Sequence, residues 1–214
     1  MKQYSTFLFD FDGTLLDSNH HVIHCFQLAF QEVLGIDLPE KTITATFGIP
    51  LAQALEDLNP EHAEELLSVY RKHSDAIGMS LLKEIDGARA TLQALHDAGC
   101  INAIVTSKKE VNAQAQMAHI GITDLIDLLV GPEKTTAHKP DPAPILYTID
   151  ALGVDASECL MIGDSPNDIL CGKNAHVDTA GVRFTAVDLD SLLATQPTYM
   201  ISHLSDLLPL AKHR

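Results

Sequence analysis

The sequence predicts an α/β fold: a doubly wound, Rossmann-like, mainly parallel sheet core with an all-helical cap subdomain inserted into it. Three observations predict it. Short apolar runs end repeatedly in polar residues or glycine. Helical patterns alternate with those runs. One long interval, residues 16–80, holds helical patterns and no convincing strand.

The runs are "TFLFD", "INAIVTS", "LIDLLVG", "CLMIGD" and "VDTAGV". Unbroken apolar stretches of this length suit parallel strands covered on both faces. Helical patterns separate them at about 87–98, 108–120, 141–152 and 166–175. "DGARATLQALHDAG" carries apolar residues at helical spacing and closes on Gly99. In the interval after the first strand, "DSNHHVIHCFQLAFQEVLG" reads as a long amphipathic helix. "PLAQALEDLN" and "PEHAEELLSVYRKHSDAIG" follow as two more, each with proline near its first turn and Asn or Gly at its end. The expected division is a core of residues 1–15 plus 84–214 and a cap of 16–83, with crossings near 15–18 and 80–86.

Bulk composition narrows the function. A chain of 214 residues buries one good core, or one core and a small appended unit. The formal charge of −15 repels nucleic acid and anionic membranes, and the few Lys and Arg form no basic stripe. An anionic substrate therefore needs a local cation. Cys25, Cys100, Cys159 and Cys171 lie far apart without CxxC spacing, which points to buried free thiols in a reducing compartment. "MKQYSTFLFDFD" is not a signal peptide, and no apolar run approaches a membrane span, so the expected location is cytoplasmic.

Ligands of open parallel sheets bind beyond the carboxyl ends of the strands. The residues expected there are Asp10 and Asp12 from "FDFDGT", Thr106 and Ser107 from "IVTSK", and Asp164 and Asp168 from "GDSPND". Lys139 of "AHKPDP" joins them. Crowded carboxylates resist dehydration unless a cation stands between them. Mg²⁺ takes a few carboxylates, water and substrate phosphate, and Asp10 and Asp164 can share such an ion. A carboxylate so placed can attack phosphorus, and Asp12, two residues on, can reach the leaving oxygen. Phosphoryl transfer asks mainly for alignment and charge stabilisation.

"DFDGT", "IVTS", "HKPDP" and "GDSPND" resemble, in order and approximate spacing, the motifs of the haloacid dehalogenase superfamily. The helical insertion is similar to the cap of its class-one phosphatases. The nearest flavours are the phosphoglycolate phosphatases and the bacterial pyrophosphatases. The resemblance implies Asp10 as nucleophile, Asp12 as general acid and base, Thr106 with Ser107 as phosphate donors, and Lys139 as the neutralising lysine. It implies Mg²⁺ held by Asp10, the Asp12 carbonyl and Asp164, with Asp168 in or just outside that shell. The dehalogenase branch lacks the second aspartate, so Asp12 argues for phosphate chemistry.

Plainer readings stand beside these. Asp-Gly is a common turn pair. Thr106 and Ser107 also suit a cap for the helix expected near Lys108, and Asp168 suits a structural anchor. His20 and His24 have a metal-capable spacing, whereas His20 or His21 alternatively faces substrate. Gly48, in "FGIPL", is expected to bind substrate on a loop lowered over it. The substrate class is a small phosphorylated metabolite or pyrophosphate, and a sugar phosphomutase is the second enzyme reading. A phospho-acceptor receiver domain is disfavoured by the insertion. The cap's only Lys or Arg are Lys41, Arg71, Lys72 and Lys83, with Arg71-Lys72 expected on a solvated helix face. That scarcity favours a small organic phosphate such as phosphoglycolate over pyrophosphate.

Overall fold

Every residue of β1 (Thr6–Phe9) is buried, because the strand is central and both its faces are covered. The computed structural model describes residues 2–212. After β1 the chain leaves the sheet through β2 (Leu16–Asp17). Four helices follow: α1 (Asn19–Leu34), α2 (Glu40–Thr44), α3 (Leu51–Leu58) and α4 (Ala63–Ile77). It returns through β3 (Lys83–Glu84), antiparallel to β2 with Leu16 opposite Glu84. The two passages thus lie side by side, and Ile85 N–H donates to the Leu15 carbonyl at 3.0 Å.

The remaining elements alternate: α5 (Ala88–Asp97), β4 (Ile101–Val105), α6 (Glu110–Ile120), β5 (Leu128–Val130), α7 (Ala143–Leu152), β6 (Cys159–Gly163), α8 (Pro166–Asn174), β7 (Asp178–Val182), α9 (Leu189–Ala194) and β8 (Tyr199–Ile201). The sheet is parallel, in the order β5-β4-β1-β6-β7-β8. Its first five strands in chain order match the expected apolar runs. β8 was not foreseen, since "YMI" is too short to show a pattern. The same holds for five-residue α2 and six-residue α9.

Alternation along the strands divides the core. Phe7, Phe9, Ile104, Leu160 and Ile162 face α5, α6 and the C-terminal turns, joining Leu92, Met117 and Leu207 in one cluster. Leu8, Ala103, Val105 and Met161 face the other way and pack with Ile145 of α7 and Cys171 of α8. The inserted helices bury a cluster of their own, including Cys25, Phe26, Phe30, Leu55, Leu66 and Tyr70. All four cysteines are buried, and no disulfide joins them among the described residues. Among the described residues, no helix is long and apolar enough to cross a membrane.

Candidate active site

Register sets the first residues of the site. Phe9 pairs with Ile104 on one side and Ile162 on the other, so the chains leave the sheet together just beyond. Asp10 follows β1, Thr106 follows β4, and Asp164 follows β6. β1 is flanked by strands whose connections wind in opposite directions, the switch point where open sheets bind ligands. Asp10 is tied down by its N–H, which donates to the Ile162 carbonyl at 2.8 Å.

Lys139 enters from the loop between β5 and α7. Its ammonium donates to Asp10 Oδ1 at 2.5 Å, Asp168 Oδ1 at 2.6 Å and the Val105 carbonyl at 3.1 Å. Three donors meet three acceptors. Asp168 is fully buried in the first turn of α8, where its Oδ2 accepts from the Ser165 N–H at 3.0 Å and hydroxyl at 2.7 Å. Both its oxygens are therefore engaged, one by the lysine and one by the helix cap. Asp164 is buried and accepts from the Thr185 hydroxyl at 3.3 Å.

Carboxylate oxygens of Asp10, Asp164 and Asp168 lie within 4.8 Å of one another. Burial pushes Asp10 up to about 7, assisted by Asp168 and Asp12 and opposed by Lys139. Burial also raises Asp164 well above the carboxylate range, with Asp168 and Asp10 adding to it. For Lys139, burial favours the neutral amine, but Asp10 and Asp168 outweigh it and hold the ammonium. One lysine against three buried carboxylates leaves negative charge that hard divalent cations satisfy.

Gly13 explains the turn after the paired aspartates. Its φ of +77° is a left-handed conformation, and a Cβ there would lie 2.2 Å from Asp164 Oδ2. Asp12 is half-buried at the mouth. Its Oδ1 accepts from the Ser18 hydroxyl and, at 2.6 Å, from Lys108 Nζ. Lys108 also donates to Gln116 Oε1 at 2.5 Å and lies 5.4 Å from the centroid of the Phe11 ring. Sequence reasoning missed this lysine. The available signal was its place in "TSK", two residues beyond Thr106.

Thr106 is buried, and its Oγ1 accepts the Lys108 N–H at 3.1 Å, closing a local turn. The Ser107 hydroxyl donates to the Gly48 carbonyl at 3.0 Å. α6 begins only at Glu110, after Lys109, so neither hydroxyl caps it, contrary to the plainer expectation. Gly48 has φ +87°, and a Cβ on it would lie 2.5 Å from Ser165 Oγ. The loop between α2 and α3 thus rests on both the β4 and β6 loops.

Between the helical unit and the sheet edge lies a cavity of about 620 Å³. Asp10, Asp12, Thr106, Ser107, Lys108 and Asp164 line its floor, and His21, Gly48, Arg71 and Ser74 line its helical side. Arg71 is exposed, as expected of a solvated helix face, and also borders the cavity. Lys72 meets that expectation, pairing with Glu32 at 2.7 Å on the surface. His20 and His24 are exposed and belong to no metal-capable cluster among the described residues. His21 is buried, with Nε2 2.9 Å from the Ser74 hydroxyl.

The chain is similar to known proteins. The Haloacid dehalogenase-like hydrolase family profile matches residues 7–182. The "Putative pyrophosphatase PpaX" of Clostridium perfringens is 36% identical over 205 residues, 96% of each chain. Pyrophosphatase PpaX of Halalkalibacterium halodurans is 33% identical over 208 residues, 97% of each. A crystal structure from Haemophilus somnus, described as a predicted phosphoglycolate phosphatase, superposes with a TM-score of 0.86. It is 25% identical over 98% of this chain and 99% of its own. With 176 of its 214 residues spanned by that profile and near full-length relatives at this identity, the chain belongs to the haloacid dehalogenase-like hydrolase family, as a phosphatase.

Proposed function

We propose that this phosphatase works with Mg²⁺ through an aspartyl-phosphate on Asp10, and that its substrate is inorganic pyrophosphate. The observation that carries the mechanism is Lys139, buried and shared between Asp10 and Asp168 beside Asp164. Such a cluster is expensive to bury and is retained where phosphate charge must be met.

Asp10 attacks phosphorus, and the bond to the leaving oxygen breaks as Asp12 delivers it a proton. Asp12 then takes a proton from water, which hydrolyses the acyl phosphate and frees Asp10. The Thr106 hydroxyl and the Ser107 N–H, at the end of β4, offer donors to the transferred phosphoryl group. Lys139 keeps Asp10 aimed and offsets its charge. The ion would be held by Asp10, the Asp12 carbonyl and Asp164, and would supply charge neutralisation for the phosphoryl oxygens. Asp168, with both oxygens bonded, acts by anchoring Lys139. Residues 16–83 act as the cap, with the β2–β3 passages as its hinge and Gly48 as its contact with the substrate side. Four buried cysteines without a disulfide among the described residues fit a cytoplasmic setting.

For the substrate, cavity-lining Arg71 and Lys108 supply the cations that seemed scarce in the sequence, and relatives named pyrophosphatases align over nearly the whole chain. Phosphoglycolate is the second reading, favoured by the likeness to the Haemophilus somnus structure. Phosphate release from pyrophosphate, phosphoglycolate and a panel of sugar phosphates, each with Mg²⁺, separates them. Pyrophosphate is expected to lead. A specificity constant for phosphoglycolate about a hundredfold higher, roughly 2.7 kcal/mol of transition-state preference, would replace it. Turnover that needs priming by a sugar bisphosphate would instead indicate a mutase.

A further inference from the structure

The geometry points to Lys108 as the residue that receives the leaving group, and to an anionic leaving group as the chemistry it selects. This rests on the phosphohydrolase reading above but not on the choice of pyrophosphate. Lys139 has no hydrogen to offer a departing group, since its three go to Asp10, Asp168 and Val105. A second cation is needed there, because the surface charge of −15 opposes any anion.

Lys108 stands where that cation is required. Its ammonium is 2.6 Å from Asp12 Oδ1, the oxygen-bearing group assigned to protonate the leaving oxygen. A group whose oxygen reaches Asp12 brings its remaining atoms to Lys108. The side chain is only 17% exposed, unlike a surface lysine, and Gln116 and the Phe11 ring hold it in place. A long cationic side chain ordered before binding loses little further entropy when it meets its ligand. Asn112 and Gln116 border the same side of the cavity and add polar donors. Lys108 thus steadies Asp12 in the free protein and contacts the leaving group when substrate is bound. Pyrophosphate and phosphoglycolate both leave an anion, as phosphate or a carboxylate-bearing alcohol. A neutral leaving group gains nothing from it.

The test compares the full chain with Lys108→Met and Lys108→Arg, with Mg²⁺, on pyrophosphate, phosphoglycolate and ethyl phosphate. The last releases a neutral alcohol that still needs a proton from Asp12. Lys108→Met should lose about 30-fold more kcat/KM on the preferred anionic substrate than on ethyl phosphate, the scale of one charge-assisted hydrogen bond. Lys108→Arg should restore most of that discrimination between anionic and neutral leaving groups, because it keeps the charge. In the non-turning-over Asp10→Asn background, calorimetry should show Lys108→Met weakening pyrophosphate about tenfold and leaving orthophosphate affinity unchanged. Equal losses on all three substrates would mean that Lys108 only steadies Asp12, and would overturn the proposal, as would no loss at all. A parent chain that prefers phosphoglycolate refutes the pyrophosphate reading and leaves this one standing.

Discussion

Asp10 and Asp12 are two residues apart, and the different roles proposed for them follow from their different surroundings. Asp10 is buried against Lys139, whereas Asp12 sits half-buried with Ser18 and Lys108. Asp10→Asn should therefore cut turnover by about three orders of magnitude or more, since a near-isosteric amide does not attack phosphorus. Phosphate release above about one per cent of the parent rate would remove Asp10 as nucleophile. Asp12→Asn leaves the backbone carbonyl in place, so Mg²⁺ affinity should persist while turnover falls about a hundredfold or more. Lys139→Met would strand buried carboxylates and should cost about 3–5 kcal/mol of stability without divalent ions. Urea denaturation in the presence of EDTA checks it, and a loss under about 1 kcal/mol would contradict the buried-pair account.

At the level of elements, the contact between the inserted helices and the sheet edge runs through single positions. Gly48 combines a left-handed φ with a close approach to Ser165, so Gly48→Ala imposes strain and pushes the loop off the β6 loop. The expected result is a drop of about tenfold or more in kcat/KM, with the helical unit still folded by circular dichroism. Unchanged kinetics would mean that this seating has no part in turnover. The α1–α4 contact carries a pH signature. Burial first, then Lys108, holds the His21 imidazole below its usual range despite Asp12, so the folded chain keeps it neutral. The unfolded chain binds a proton near pH 6.5, so the stability His21 contributes is present above that value and lost as pH falls below it. His21→Leu should flatten the dependence of unfolding free energy on pH between about 7.5 and 5.5. A slope identical to the parent's would exclude His21 as its source.

Over the whole molecule, the charge of −15 and the buried carboxylate cluster pull in one direction. Both make anion binding depend on a cation placed at the site. EDTA should silence the chain and Mg²⁺ restore it, and Mg²⁺ should raise the melting temperature by binding the folded state alone. Full activity in EDTA, with tightly held metal excluded by elemental analysis, would refute the ion. Polyanions too large for a cavity of about 620 Å³ meet the same field without a local cation. Phosphopeptides and 5′-phosphorylated DNA should be cleaved below about one per cent of the pyrophosphate rate.

The parallel strands, the helical interval between β1 and the rest, and the acids standing at the strand ends were all legible in the chain before it folds. Those features are local: strand-forming runs of three to five residues, helical spacing, and Asp or Thr directly after a strand. Tertiary structure alone decided which side chain meets which. Lys139 and Asp10 are 129 positions apart, and Lys108 and Asp12 are 96 apart. No periodicity encodes such pairs, because they arise from strand register and the loop paths around it. The same reason hid the division of Asp168 between Lys139 and Ser165, which "GDSPND" does not reveal. It also hid Arg71, whose helix is amphipathic but whose position at the cavity rim depends on how α4 packs over the sheet edge. Local pattern specifies elements; the directions of charged side chains follow only once those elements are packed.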